Sequence, residues 1–326
     1  MRLGRAGLVA LTLALSLTAT ACGGGSDSAK SGDNPKGLEK TNLNIGLVPV
    51  PDSAAAVIAD QKGFFKEEGL TVKFTPIPVS GAATPLMQNG SMDFALLNYV
   101  STFMTQGQGA VKFKFVSDAY QGVPKGFALL AKKDSKIQTA KDLKGKKVAV
   151  PAPQSITHLL AQSAAQADGI GKDDFEAVKV GLPEMIGQLD KGTVDAIAAV
   201  EPFITEAQKK IGARIVADLV SGPTADFPVA GWGGLASFVD KNPKTVAAFQ
   251  RALAKALKVA QDRQEVVKVI PSYTTIKADT VSIIALGTYP TTLEPARLQR
   301  VADMLDQFGY LKNKLDVQQM MAPQPK

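Results

Sequence analysis

Apolar residues divide the chain into three regimes. The first is a charge-free apolar stretch over residues 7–17, preceded by Arg2 and Arg5. The second runs to Thr41 and is dominated by small and charged residues. The third, from Leu43 onward, alternates short apolar runs with segments of helical period. Its apolar runs predict strands over 43–48, 70–76, 94–97, 112–117, 146–150, 194–200 and 214–217. Helices are predicted over 54–61, 82–88, 100–106, 158–167 and 184–190, with Gly63, Gly90, Gly107, Gly169 and Gly192 as their stops. Beyond residue 242 the pattern is mostly helical. Asn242 caps a helix that Pro243 starts, and Val246, Phe249, Leu253 and Leu257 share one of its faces. Strands alternating with helices predict an α/β fold of mostly parallel sheets covered by helices.

The N-terminal regime is too short to cross a bilayer as a helix. A positive end, an apolar core and the small residues Thr18-Ala19-Thr20-Ala21 make residues 1–21 a secretory signal. The only cysteine, Cys22, stands at its exit. Residues 18–22 resemble the lipobox of bacterial lipoproteins, which implies a diacylglycerol thioether on Cys22 and anchorage to the outer side of the cell membrane. Residues 22–41 cannot bury a core and are expected to be a flexible tether. One cysteine leaves no intrachain disulfide, and no second stretch has spanning length without charges. The net charge is +7, with basic residues densest between 132 and 147. That run reads as a solvated loop and not as a nucleic-acid patch, because export removes such a partner.

Candidate chemistry follows from topology. Open parallel sheets bind ligands beyond the carboxyl ends of their strands, beside helix N-termini. Ser53 follows the first strand, and Ser80-Gly81 precedes the second helix. Both serines are also candidate N-caps. Asn98 and Tyr99 follow a buried strand, and Tyr120 and Gln121 follow another. Gln154, Ser155, Thr157 and His158 lead into a helix, where Ser155 or Thr157 would cap. His158, the sole histidine, is either a satisfied structural residue or a ligand donor. Glu201 ends an apolar strand before Pro202 and either faces the cleft or caps the next helix. Trp232, the sole tryptophan, would stack on a ligand or pack a hinge. One histidine rules out a multi-histidine metal site. No catalytic triad motif, P-loop or dinucleotide fingerprint is present, so neither enzymatic activity nor a cofactor is expected.

Several motifs occur in a fixed order: Gly63-Phe64-Phe65, Glu68-Gly69-Leu70-Thr71-Val72, Gly90-Ser91-Met92-Asp93-Phe94-Ala95, Asp142-Leu143-Lys144-Gly145-Lys146-Lys147-Val148-Ala149-Val150, Gly192-Thr193-Val194-Asp195-Ala196 and Glu201-Pro202-Phe203. Over residues 43–308 the set resembles the substrate-binding proteins of ABC importers in the nitrate/sulfonate/taurine, NMT1/THI5-like group. The resemblance implies a two-lobed periplasmic-binding-protein fold of type II. Lobe one would comprise 42–127 and 232–326, and lobe two 128–231. It further implies capture of a small polar nitrogen- or sulfur-containing solute (sulfonate, taurine, nitrate or thiamine-pyrimidine type) by a monomer that delivers it to an ABC permease and its ATPase. Two alternatives are a lipid-anchored sensor presenting solute to a receptor and a thiamine-pyrimidine biosynthesis enzyme. The enzyme goes with a cysteine-rich motif and several histidines that this chain lacks.

Overall fold

The computed structural model describes residues 36–325. The expected signal segment, Cys22 and most of the expected tether lie outside them. The described chain starts with β1 (Asn42–Leu47), whose Leu43, Ile45 and Leu47 are buried. A 3-10 turn at Pro51–Ser53 leads into α1 (Ala54–Gln61), followed by α2 (Phe64–Glu67), β2 (Thr71–Pro76), α3 (Ala83–Gln88), β3 (Phe94–Asn98), α4 (Tyr99–Gly107) and β4 (Phe113–Gln121). Next come β5 (Phe127–Ala131), β6 (Lys147–Val150), α5 (Ile156–Ala167), β7 (Glu176–Lys179), α6 (Leu182–Lys191), β8 (Ala196–Val200), α7 (Phe203–Ile211) and β9 (Arg214–Asp218). The remainder is β10 (Pro228–Leu235), α8 (Ala236–Lys241), α9 (Pro243–Val259), α10 (Arg263–Val269), α11 (Ala278–Ile283) and α12 (Pro295–Gln307).

The strands form two five-stranded sheets with matching plans. The first has the order β2-β1-β3-β10-β4 and the second β7-β6-β8-β5-β9. In each, the first three strands are parallel and the fourth, β10 in the first sheet and β5 in the second, is antiparallel to both of its neighbours. Both sheets are flanked by helices, as the alternation led us to expect, and both are mixed, with two parallel and two antiparallel pairings each. The chain passes from first sheet to second between Gln121 and Phe127 and returns between Asp218 and Pro228. Phe127 heads β5 in the second sheet, and Val229, Ala230 and Gly231 belong to β10 in the first.

Packing explains why these sequences settle here. Phe249 of α9 is stacked between Phe65 and Phe94, with ring centroids 5.4 and 4.5 Å away. Burying a phenylalanine contributes about 1.5–3 kcal/mol, so this stack alone fastens α9 to the first sheet. β10 lies between β3 and β4, and glycine at 231 is needed there. A Cβ at that position would collide with the Tyr99 hydroxyl and come within 2.9 Å of the Ser117 carbonyl. Arg297 of α12 forms a buried ion pair with Asp118 of β4, and its Nη1 donates to Gln121 Oε1 at 2.8 Å. The Tyr99 hydroxyl donates to the same carboxylate at 3.0 Å. No described helix is long and apolar enough to cross a membrane.

Candidate functional site

Parallel strands deliver their following loops to one edge. The loops after β1, β2 and β3 gather at the carboxyl edge of the first sheet, and those after β6, β7 and β8 at that of the second. Together they enclose a cleft of about 670 Å3, within the roughly 300–1,000 Å3 typical of small-ligand sites. Its walls are mainly carbon, with Val48, Leu96, Met104, Leu182 and Val229 among them. Polar groups interrupt them at a few points.

The structure brings eight of the twelve predicted ligand-binding residues to this cleft: Ser80, Gly81, Asn98, Tyr120, Gln154, Ser155, Thr157 and Glu201. Several also hold the backbone. Ser80 Oγ accepts from the Asn98 N–H at 3.0 Å, joining two cleft loops. Asn98 caps α4 by accepting from the Ser101 N–H at 3.3 Å. Ser155 caps α5 by accepting from the His158 N–H at 3.4 Å. Glu201 accepts from the Thr205 N–H at 3.0 Å and from its hydroxyl at 2.8 Å. Both readings of Glu201 thus hold together, since the carboxylate answers the start of α7 and lines the cleft. Burial raises its pKa above the ordinary carboxylate value.

Four predicted residues do not line the cleft. Ser53 turns inward and donates to the Val48 carbonyl at 2.7 Å. Tyr99 opens α4 on the side facing the sheet, where it is fully buried against Phe103 and Phe115. Trp232 points into the core from β10 and is fully buried, with no partner for its indole N–H. His158 stands behind the 151–157 loop. Its Nδ1 accepts from the Gln154 N–H at 3.0 Å, which places the ring proton on Nε2. Tyr310 lies 3.2 Å from the same nitrogen and donates to Gln162 Oε1 at 2.7 Å. Burial lowers the His158 pKa, so this imidazole stays neutral and fixes a cleft loop from outside, as Gln154 holds a positive φ of 61°.

Asp52 is the main residue that sequence reasoning missed. It lies one position before Ser53 and lines the cleft. Part of its surface is open, yet its carboxyl is deep enough for burial to lift its pKa to about 7. Around it stand Tyr120, Tyr273 and Tyr289, all neutral because burial raises their pKa values. Tyr289 and Tyr273 donate to the carbonyls of Pro51 and Val50 at 2.9 and 3.1 Å, fixing the turn that carries Asp52. Ser101, Thr105 and Gln108 also line the cleft from α4 and its end. Their spacing places them on one helical face, a signal available in the sequence. Among the described residues no group of three histidine, cysteine or acidic side chains could hold a metal ion.

The two-sheet plan with ligand-sized space at the carboxyl edges is the fold of periplasmic-binding-protein-like structures. Its solved relative from Escherichia coli, the periplasmic aliphatic sulphonate binding protein SsuA, matches with a TM-score of 0.72 and 20% identity, over 88% of this chain and 94% of that one. The chain belongs to the NMT1/THI5-like family, whose model matches residues 50–266. It is 28% identical over 246 residues to the nitrate import ATP-binding protein NrtC of Synechocystis, over 70% of this chain and 36% of that protein. It is 24% identical over 262 residues to the nitrate/nitrite binding protein NrtA of Nostoc, over 73% of this chain and 59% of that protein. The chain thus spans about a third to three fifths of the length of these two relatives.

Proposed function

We propose that this chain is the extracytoplasmic solute-binding component of an ABC importer, captures a small polar solute in its cleft, and delivers it to a permease and its ATPase. The observation that carries the reading is that loops from the carboxyl edges of both sheets meet around one cleft of about 670 Å3. The family and the names of the relatives support it. The two sheets would be the cores of two lobes, and the crossings near residues 122–126 and 219–227 would be the hinge. The chain would act as a monomer without catalysis, held to the membrane by a lipid on Cys22. Such a protein closes around its ligand. Small-angle scattering of the purified chain, with the solute that best stabilises it in a thermal-shift screen, is expected to show a smaller radius of gyration. Alanine at Asn98 or Gln154 is expected to weaken binding by about tenfold. A radius and affinity unaffected by these changes, with binding mapped elsewhere, would remove the reading.

A further inference from the structure

The charge of the cleft runs against the charge of the chain. The sequence holds 37 lysines and arginines against 30 acidic residues, yet the charged side chains lining the cleft are the carboxylates of Asp52 and Glu201, with no lysine, arginine or histidine among them. Neither carboxylate is in an ion pair with another described residue. Both line the same cleft, Asp52 from the loop after β1 and Glu201 from the loop after β8. Two arginines stand behind the walls, and both are committed. Arg263 Nη2 donates to the carbonyls of Ile284 and Ser282 at 2.9 and 3.2 Å. Arg297 is held by Asp118 and Gln121.

The other source of positive potential at such an edge is the set of helix N-termini. Here the starts of α4, α5 and α7 are each answered by a side chain of the protein itself, Asn98, Ser155 and Glu201, while the 3-10 turn at Ser80–Ala82 and α6 start at the cleft without a side-chain cap. An anion drawn to those two open starts would meet Glu201 and, once Asp52 ionises, a second like charge, with no side-chain cation among the lining residues to offset them. A cation would supply the counter-charge that two partly buried carboxylates lack, and the carbon walls suit an apolar body.

We infer that the ligand is a small organic cation, a protonated amine or amidine on an apolar body, held by the carboxylates of Asp52 and Glu201, and that the cleft rejects sulfonates and nitrate. The inference rests on the solute-capture reading and names its ligand class. It also sets a pH dependence. The titratable and charged groups around Asp52 are Tyr120, Tyr273 and Tyr289, with Arg263 beyond Tyr120 and Tyr289, and those near Glu201 include Tyr120. The tyrosines stay neutral, so cation affinity follows the ionisation of Asp52 and rises between pH 6 and pH 8.

The test uses twins of equal shape and opposite charge. The purified full chain is titrated by calorimetry at pH 8 with n-butylammonium and n-butanesulfonate, with 2-phenylethylammonium and 2-phenylethanesulfonate, and with nitrate. At least one ammonium is expected to bind ten times or more tighter than its sulfonate twin. Asp52→Asn and Glu201→Gln should each weaken it tenfold to a hundredfold, with circular dichroism confirming the fold, and lowering the pH to 6 should weaken binding to the parent chain. Tighter binding of the sulfonates or nitrate overturns the inference and leaves solute capture standing. Unchanged ammonium affinity in both variants also overturns it. Binding of none of the five probes overturns the inference and leaves solute capture to the thermal-shift and scattering test.

Discussion

The carboxyl of Asp52 gives a sharp test of how the cleft is built. Its pKa is lifted from an ordinary 3.8 to about 7 by burial. At 1.36 kcal/mol per pH unit, that corresponds to about 4 kcal/mol between its charged and neutral forms. Water in the open cleft screens part of this, so about 2 kcal/mol is a realistic expectation for the free protein. The sign follows from linkage. An acid whose folded pKa is raised holds its proton better folded than unfolded. Its penalty is absent below about pH 4, grows from there to about pH 7, and is complete above. Asp52→Asn removes the charge while keeping the shape. At pH 8 the variant should melt roughly 5 °C above the parent chain, taking about 2–4 °C per kcal/mol for a domain of this size. At pH 4 the two should melt together. Differential scanning calorimetry across this range, without ligand, measures both. A variant that melts lower at pH 8, or gains equally at both pH values, would show that the carboxylate is stabilised where it sits and refute the reasoning.

Two further outcomes are expected. Arg297→Met leaves the buried Asp118 carboxylate without its cation and should cost about 3–5 kcal/mol in urea denaturation, with Asp118→Asn in the same chain recovering part of the loss. Cys22→Ser should release the protein from membranes or leave it unprocessed, and mature-sized, fully membrane-bound protein in that variant would refute lipid anchoring.

Much of the fold was legible because the parallel strands carry compact apolar runs, and β1, β2, β3, β6 and β8 fall close to their predicted places. The strands that were not read as such have physical reasons for silence. β10 contains Gly231, Gly233 and Gly234, which carry no strand propensity, and their absence of side chains is what allows it between β3 and β4. The Phe127–Ala131 run of β5 is buried on both faces and shows no alternation, so it is absent from the predicted strands. β7 is a half-exposed edge with a charged residue at each end. The site was legible to within a residue in places. The rule that polar groups follow parallel strands found the loops, but the 3-10 turn at Pro51–Ser53 decides which side chain faces the cleft, and it turns Ser53 inward and leaves Asp52 on the cleft. Likewise α4 begins at Tyr99, which rotates that ring into the core and leaves Asn98 and Ser101 on the cleft side.

The backbone of this fold and its side chains act separately on ligand charge. An open parallel sheet brings helix N-termini to its binding edge whatever the sequence, and that geometry by itself favours anions. Side chains then decide how much of that field a ligand feels. In this chain Glu201 cancels the start of α7 and still reaches the cleft, while Asp52 adds a second carboxylate from the loop after β1 at a point where burial resists its ionisation. Had the cleft been built for an anion, the same positions would carry donors, and a carboxylate lifted toward neutral pH would be a cost without return. If the ligand is the cation inferred above, its charge converts that cost into affinity, because no side chain lining the cleft supplies a counter-charge. On the cation proposal the sign of the cleft is set by two residues on loops of different sheets, and of the two only Glu201 also holds the start of a helix, so exchanging Asp52 is the change that alters ligand charge with least effect on the scaffold.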